Sequence, residues 1–382
     1  MILLKNGTLF APEQLGVRDI LIAGDKIIAV EENIVPPPWD FLETIDLNRQ
    51  WVFPGLIDSH MHFAGAGGEG GPATRTPEMN IKEIFNAGIT TVIGCLGTDG
   101  ITRTVTSVLM KAKALRQQGI SAWIYTGAYQ VPPPTITGSV SKDIAMLEEV
   151  IGVGEIAVAD HRSSYPSLED FIAVVQEAKL GGLLGGKAGI INLHLGENGA
   201  PFQLVNQAVG RGGIHFSRFL PTHCNRSRPV FDEAIKYAKK GYIDLTTSSY
   251  PYDPDNEVKS SDAFFELTAA GIPLEHITFS TDSGGSLPVF DENGNFIQIA
   301  YGSPATLLRE VLDIIEKNET QAAGAVQTVT SNVADILKLE TKGRIKPGCD
   351  ADLLVLNRDR SGISHLFARG CHILNPDSPK NL

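Results

Sequence analysis

Short apolar runs broken by turn residues fill the first fifty residues of the chain. Within residues 19–30, an apolar run, a Gly-Asp turn and a second apolar run follow one another, an order typical of β-hairpins. The same pattern returns near the other end of the chain, at residues 352–374. We therefore predict that residues 1–52 and 343–382 join in one small β domain, a β-sandwich formed by both termini.

Between these segments the pattern changes to apolar runs that are usually followed by longer stretches with helical spacing. The eight runs lie at residues 52–57, 90–96, 122–126, 156–158, 190–195, 219–221, 242–245 and 277–279. Eight strands that alternate with helices over about 290 residues predict an α/β fold of the (β/α)8 TIM-barrel type for residues 53–342. A doubly wound parallel sheet is the alternative, which alternation alone does not exclude.

Composition indicates which binding partners the protein has and in which cellular compartment it works. The 382 residues carry a formal net charge of −12, and their charged residues, 20% of the total, form no long runs. Nucleic acids and anionic membranes favour a basic face, so we expect neither as a partner. The first ten residues are too polar for a signal peptide, and no stretch of apolar residues is long enough to span a bilayer. The four cysteines lie far apart, as expected of reduced thiols in the cytoplasm.

Histidines and one aspartate stand at the ends of the predicted barrel strands. His60 and His62 close the first strand, and because strand side chains alternate, both imidazoles point into the barrel. Imidazole is a common metal ligand, so this pair supplies half of a zinc-type site. His194, His223 and Asp282 end the fifth, sixth and eighth strands. Active sites of TIM barrels lie at this end of the strands, and the five side chains therefore predict a metal-dependent enzyme.

The motifs around these residues resemble the amidohydrolase superfamily. FPGLIDSHMH at residues 53–62 and GRIKPGCDADLLVL at residues 343–356 carry that resemblance. Six further segments resemble the isoaspartyl dipeptidases, also called β-aspartyl peptidases. They are GGEGGPATRTPE (67–78), GCLGTDG (94–100), YTGAYQVP (125–132), ADHRS (159–163), HCNR (223–226) and TDSGGSLP (281–288). The resemblance covers nearly the whole chain and implies a homo-oligomeric enzyme that hydrolyses a small-molecule substrate, the amide bond of a β-aspartyl dipeptide.

The resemblance implies two divalent metal ions, and the histidine and carboxylate ligands favour zinc over magnesium. Two such ions share a hydroxide, lowering the pKa of water toward about 7 and supplying a nucleophile. Asp282 is placed to take the proton of the hydroxide and to return it to the departing amine. Tyr129, on the loop after the third strand, is placed to donate to the carbonyl oxygen as charge develops there. From the residues alone, Tyr129 is equally well an aromatic residue of the barrel rim.

A dipeptide substrate is a zwitterion, so we expect charged side chains of the protein to select it by binding its charged groups. By resemblance, Glu69 receives the free α-amino group with the help of Ser286. Arg162 and Arg226 each hold a carboxylate through two hydrogen bonds, and Thr98 helps to orient one of them.

The chain departs from the family on the fourth strand. Many dipeptidases of this family carry a carboxylated lysine there, but residues 153–159 contain no lysine. We predict that Glu155 bridges the two metals instead, with Gly154 permitting the closer approach of the backbone. Lys187 is a weaker candidate, because it precedes His194 by seven residues and belongs toward the other end of its strand. The alternative is that Glu155 fills the barrel or its rim and only one metal binds tightly.

Other features have structural explanations that we favour. The glycine-rich residues 65–70 formally match a dinucleotide-binding motif, but two prolines interrupt the helix that the motif requires. His161 is expected to make a structural hydrogen bond rather than a metal contact. Cys95 and Cys224 have no activating base nearby in the sequence, so we interpret them as small buried thiols. The remaining histidines, expected at the surface or in the core, are His215, His276, His365 and His372.

Two other functions remain in contention. The same metal centre serves other amidohydrolase reactions, such as ring opening of a cyclic imide or deacylation of an N-acyl amino acid. A cyclic imide, however, offers no free ammonium to Glu69. A scaffold without catalytic activity is the second alternative, which retention of the histidines and Asp282 makes less favoured.

Overall fold

The structure is a computed structural model that describes residues 1–247, 257–290 and 296–374. These ranges contain eighteen β-strands and ten α-helices. The strands are β1 Ile2–Phe10, β2 Gln14–Ala23, β3 Lys26–Glu31, β4 Glu43–Asp46, β5 Trp51–Pro54, β6 Leu56–Met61, β7 Ile89–Gly94, β8 Ser121–Thr126, β9 Val150–Val158, β10 Ile190–Leu195, β11 Phe219–Thr222, β12 Ile243–Thr246, β13 Ile277–Ser280, β14 Ser286–Phe290, β15 Phe296–Tyr301, β16 Leu353–Leu356, β17 Ile363–Ala368 and β18 Cys371–Leu374. The helices are α1 Ile81–Asn86, α2 Val105–Gln117, α3 Val140–Met146, α4 Leu168–Gly185, α5 Gln203–Gly212, α6 Arg228–Ala238, α7 Ser260–Ala269, α8 Thr306–Lys317, α9 Ala322–Thr328 and α10 Ser331–Leu337.

Strands from both ends of the chain share one eight-stranded sheet, which we call the terminal sheet. Its order is β18-β17-β16-β5-β1-β2-β3, and β4 pairs with β1. The two ends meet where β16 runs antiparallel to β5, with Val355 opposite Val52. Apolar side chains that include Leu4, Ile20 and Phe367 are buried against this sheet. The sandwich form of this unit and its boundaries at residues 52 and 343 stay predictions.

Eight parallel strands surround the centre of the molecule. Strands β6 to β11 form one curved sheet and β12 pairs with β13. Backbone hydrogen bonds join the two sheets on both sides: the Cys224 N–H donates to the Asp244 carbonyl, and the Asp282 N–H donates to the His60 carbonyl. The strands thus form a ring from β6 round to β13, which confirms the predicted TIM-barrel-like fold.

The barrel strands are buried along their length except at Trp123 of β8, as is typical of parallel strands with apolar sequences. Helices cover them on the outside, and α1 to α4 begin at polar residues whose side chains cap the helix. At the start of α4, for example, the Ser167 side chain accepts a hydrogen bond from the Asp170 N–H, and the helix ends at Gly186 in the left-handed conformation. Within the described residues, no helix has the length and apolar character needed to cross a membrane.

The first predicted barrel strand, residues 52–57, is wrong in its boundaries. The structure divides it between β5 of the terminal sheet and β6 of the barrel, with Gly55 between them. A side chain at Gly55 would place its Cβ 2.2 Å from the Thr90 Oγ1, so only glycine lets the chain pass from one sheet to the other here. Apolar patterning continues through both strands, which is why it did not reveal the break.

Candidate active site

Six side chains converge at the carboxyl ends of the barrel strands. His60 lies on β6 and His62 directly follows it, Glu155 lies on β9, and His194 lies on β10. His223 directly follows β11, and Asp282 lies two residues after the end of β13. These are the six residues that the sequence predicts as metal ligands, and the structure brings all of them together.

Glu155 occupies the middle of this cluster. Its Oε1 lies 2.7 Å from the His194 Nδ1 and 3.1 Å from the His223 Nε2. Its Oε2 lies 3.5 Å from the His60 Nε2 and 3.7 Å from the His62 Nε2. One carboxylate oxygen therefore faces one histidine pair and the second oxygen faces the other pair. This arrangement suits a carboxylate that bridges two cations.

Polar residues beneath the cluster orient the imidazole rings. The His60 Nδ1 lies 3.1 Å from the Asn192 Oδ1, and the His223 Nδ1 lies 2.7 Å from the Thr246 Oγ1. Both contacts leave the Nε2 atoms directed at the cluster, as in metal sites whose ligands are held by a second hydrogen bond. Sequence reasoning missed these two residues. Asn192 was detectable, because it precedes His194 by two strand positions and so shares its face.

Burial and neighbouring charges compete in setting the pKa values of this cluster. Burial opposes ionisation of Glu155, but the neighbouring imidazoles of His60 and His194 hold the pKa of its carboxyl well below the usual range. For Asp282, burial is likewise outweighed by His60 and His62, which lower the pKa of the carboxyl. Burial lowers the pKa of His223 to about 4, so this imidazole is neutral and able to bind a cation near neutral pH.

Two oxygen atoms in the cluster are buried without a hydrogen-bond partner among the described residues. They are the Oε2 of Glu155 and the Oδ1 of Asp282. A buried anionic oxygen without a hydrogen bond is costly, and divalent cations would satisfy both atoms. Imidazole nitrogens and carboxylate oxygens are among the usual ligands of zinc. The residues present therefore fit the metal centre that the sequence predicts.

Close packing behind Glu155 explains the glycine that precedes it. A Cβ at Gly154 would lie 2.7 Å from the Asn192 Cβ and 2.9 Å from the Asn192 carbonyl oxygen. Strands β9 and β10 approach each other here more closely than any larger residue permits. The glycine thus lets β9 bring Glu155 within reach of His194.

Replacing Gly154 with alanine should lower the free energy of unfolding by about 1–3 kcal/mol, because the new methyl group overpacks this contact. The matched control is Gly210→Ala on α5, where nothing lies within 4 Å of the added Cβ. There we expect a small gain, about 0.5–1 kcal/mol, from the higher helix propensity of alanine. Urea denaturation of both variants measures the difference, and equal effects at the two sites would contradict the packing argument.

Tyr129 lies beside the cluster, where the sequence placed a candidate donor. Its hydroxyl oxygen is 2.8 Å from the His194 Nδ1, and the ring lies beneath the Arg162 guanidinium at 5.2 Å. Burial, reinforced by the charge of Glu155, raises the pKa of the Tyr129 hydroxyl well above its ordinary value. The hydroxyl therefore keeps its proton at neutral pH and is able to donate it in a hydrogen bond.

The five predicted substrate-binding residues all line one cavity, of about 390 Å³, above the cluster. Arg162 Nη1 lies 3.6 Å from the Glu69 Oε1, and the Ser286 hydroxyl donates to the Glu69 Oε2 at 3.1 Å. Arg226 Nη1 lies 3.1 Å from the His194 Nε2 and also donates to the Leu195 carbonyl. The Thr98 Oγ1 is buried and has no hydrogen-bond partner within the described part of the chain.

Asp160 organises this side of the cavity and was not predicted from the sequence. Its two oxygens accept hydrogen bonds from the Nε and Nη2 of Arg162, both at 2.9 Å. Its Oδ2 also lies 3.0 Å from the His194 Nε2. Asp160 thus holds both a metal-ligand candidate and a substrate-binding candidate. Burial opposes its ionisation, but Arg162 and His194 hold the pKa of the carboxyl well below the usual range.

Two further predictions have clear outcomes. Lys187 lies away from the cluster, where its Nζ donates to three backbone carbonyls, including those of Ile144 and Val150. This agrees with its predicted place at the other end of the strand. Cys95 is buried, as predicted, but it lies beside two imidazoles. It directly follows β7, and its Sγ lies 3.5 Å from the His60 Nε2 and 3.7 Å from the His62 Nδ1. The basic neighbours of Cys95 come from the adjacent strand, not from nearby sequence.

Comparison with known proteins supports this description. The model of the amidohydrolase family matches residues 252–365. A dihydroorotase from Ehrlichia chaffeensis is 25% identical over 94% of this chain and 86% of its own length. An allantoinase from Salmonella newport is 23% identical over the same shares.

Solved structures extend the comparison. A D-hydantoinase from a Thermus species covers 98% of this chain and 95% of its own at 17% identity, with a TM-score of 0.69, which shows a shared fold. The β-aspartyl dipeptidase from Fervidobacterium islandicum AW-1, crystallised with a β-Asp-Leu dipeptide, is 39% identical over the whole of this chain and 98% of its own, with a TM-score of 0.92. This chain therefore belongs to the β-aspartyl dipeptidase family of the amidohydrolases, a family of hydrolytic enzymes.

Proposed function

We propose that this protein hydrolyses the amide bond of β-aspartyl dipeptides. The observation that carries the proposal is the pairing of Glu69 with Arg162 in the cavity above the histidine cluster. In a β-linked dipeptide the free amine and a free carboxylate stand on the same carbon atom of the aspartyl residue. A carboxylate and a guanidinium 3.6 Å apart complement such a pair of charges. The 39% identical relative, crystallised with β-Asp-Leu, supports the same substrate class.

The position of the amide link, α or β, decides whether a dipeptide fits this cavity. In an α-aspartyl dipeptide the amine stands beside the scissile carbonyl, and the free carboxylate lies on the side chain. Glu69 and Arg162 then cannot hold both charges while the carbonyl faces the cluster. Arg226, whose Nη1 lies 3.1 Å from the His194 Nε2, is available for the carboxylate at the far end of the dipeptide.

The metal centre belongs to the same proposal. His60, His62 and Asp282 would hold one divalent ion, His194 and His223 the other, and Glu155 would bridge them. Two such ions, for which we propose zinc, would supply a water molecule of lowered pKa and would polarise the scissile carbonyl.

The side chains around the centre then move the protons. Asp282 faces the cavity as an ionised carboxylate, so it is able to accept a proton from the attacking water and deliver it to the leaving amine. Tyr129, which keeps its proton, donates a hydrogen bond to the carbonyl oxygen as negative charge develops on it. Asp160 holds Arg162 in place through two parallel hydrogen bonds.

The domain boundaries, the cellular location and the oligomeric assembly are also proposals. We propose a metal-binding barrel over residues 53–342 and a small β-sandwich domain from residues 1–52 and 343–382. A cytoplasmic location is supported by the free thiols of the four cysteines. A homo-oligomeric assembly follows only from membership of the family.

The proposal is tested with a panel of substrates. Purified enzyme supplied with zinc should hydrolyse β-Asp-Leu and should act on α-Asp-Leu at a small fraction of that rate. Dihydroorotate and allantoin, chosen because the relatives include a dihydroorotase and an allantoinase, should not be opened, since neither offers an ammonium to Glu69. Faster turnover of a ring substrate than of β-Asp-Leu would replace this proposal with a cyclic amidohydrolase function.

Within that assay, Arg226→Met should lower kcat/KM for β-Asp-Leu by more than tenfold, which corresponds to about 1.4 kcal/mol of lost transition-state binding. The matched control is Arg228→Met, since Arg228 lies two residues later and pairs at the surface with Asp232 and Glu266. We expect that control to keep wild-type kinetics. A loss below tenfold in Arg226→Met would remove Arg226 from the substrate-binding site.

A further inference from the structure

The environment of Cys95 is unlike that of an ordinary buried thiol. Its side chain is fully buried at the end of β7, between the two histidines of β6. Its Sγ lies nearer to the two imidazoles than to the backbone carbonyl of Met61, which is 3.8 Å away. Cys224 offers a contrast within the same barrel, because its Sγ lies 3.3 Å from the Pro221 carbonyl and takes no part in the cluster.

The distances around His60 point to a shared metal. Three atoms lie 3.5 Å from the His60 Nε2: the Cys95 Sγ, the Glu155 Oε2 and the Asp282 Oδ1. Ligand atoms bound to one tetrahedral zinc, with nitrogen at about 2.0 Å and sulfur at about 2.3 Å, lie roughly 3.5 Å from each other. The thiol thus stands at the separation expected of a fellow ligand.

A second observation supports a ligand at this position. The Glu155 Oε2, which belongs to the same four-residue group as His60, His62 and Cys95, is buried and has no hydrogen-bond partner in the described ranges. A cation between these atoms would satisfy that oxygen and the sulfur together. Four donors from four residues also make a complete tetrahedral set.

We propose that Cys95 binds, as a thiolate, the metal ion held by His60, His62 and Glu155. The inference rests on the proposed metal centre and revises its ligands, because Cys95 takes the place of Asp282 at this ion. On binding, the S–H bond breaks, the proton passes to bulk water, and the sulfur forms the bond to the metal. The thiolate adds one negative charge beside Glu155 and makes this site softer than its partner, which favours zinc, cobalt and cadmium over manganese.

The ligand set has a consequence for Asp282. With Cys95 as the fourth donor, the ion at His60 needs no bond from Asp282. The Asp282 carboxylate, which faces the cavity, is then free for proton transfer. A hydrogen-bonded thiol that only orients His62 would leave Asp282 as the fourth ligand.

X-ray absorption at the zinc edge tests the proposal on the wild-type enzyme. We expect a sulfur shell at about 2.3 Å, with about one sulfur for every two zinc ions. The cobalt-substituted enzyme should show a thiolate-to-cobalt absorption band that is lost in Cys95→Ser and kept in Cys224→Ser.

The possible outcomes separate this inference from the function on which it rests. Two bound metals without a sulfur shell would overturn the role of Cys95 and leave the proposed function standing. A wild-type enzyme that binds no metal would overturn both. The absorption measurement on wild-type enzyme decides the question even if Cys95→Ser does not fold.

Discussion

The Asp282→Asn variant should retain bound metal and yet turn over β-Asp-Leu at less than about one-hundredth of the wild-type rate. Proton transfer by a positioned side chain contributes roughly 10²–10⁴-fold to such reactions, and an amide does not accept a proton at neutral pH. The amide oxygen of asparagine still occupies the position of the Asp282 Oδ1, which lies 3.0 Å from the His62 Nε2. The loss should therefore fall on kcat rather than on metal content.

Metal analysis and steady-state kinetics of the same preparation measure both parts of this prediction. Asp262→Asn is the matched control, since Asp262 lies on the surface in a pair with Lys317 and should behave as wild type. Wild-type kcat in Asp282→Asn would exclude Asp282 as the proton acceptor. Loss of all metal would instead make it an indispensable ligand.

Replacing Glu155 with alanine should reduce bound metal below two ions per chain and lower kcat/KM by more than about 100-fold. That factor is the upper end of what loss of an outer partner of a metal ligand costs, and Glu155 stands inside the cluster. Its two oxygens face different histidine pairs, so its removal takes a ligand from both proposed ions. The mutual repulsion of the two cations is then no longer offset.

Reconstitution provides a second arm of the experiment. A glutamate bridge needs no carbon dioxide, so addition of bicarbonate should change neither metal content nor activity of the wild-type enzyme. Glu155→Gln preserves the volume of the side chain and separates loss of charge from creation of a cavity. Two tightly bound ions in Glu155→Ala, or activation by bicarbonate, would refute the bridging role.

The convergence of the metal-ligand candidates was predictable because barrel strands deliver their last side chains to one place. His194, His223 and Asp282 were found by their positions at strand ends, without knowledge of any contact. Glu155 was found by a departure from the family pattern, and its central position was consistent with the closer approach that Gly154 permits.

Contacts between side chains of different strands could not be predicted from the sequence. Cys95 was interpreted only as a small buried thiol, because its imidazole neighbours come from the adjacent strand. The pairing of Met61 with Gly94, which brings them together, cannot be read from either strand alone. The same limit hid Thr246, which reaches His223 from β12. The division of residues 52–57 was missed because both sheets bury the same kind of apolar strand.

The terminal sheet has a consequence for synthesis of the protein. Strand β5 hydrogen-bonds to β1 at only two residue pairs, and its other partner, β16, lies about 300 residues later in the chain. At a translation rate of about 5–20 residues per second, the ribosome reaches β16 roughly 15–60 s after β5 has been made. During that interval the β5 edge is open to pairing with a second nascent chain. The terminal sheet is therefore completed only after every barrel strand has been synthesised. A chaperone that covers β5 would act before the barrel is finished.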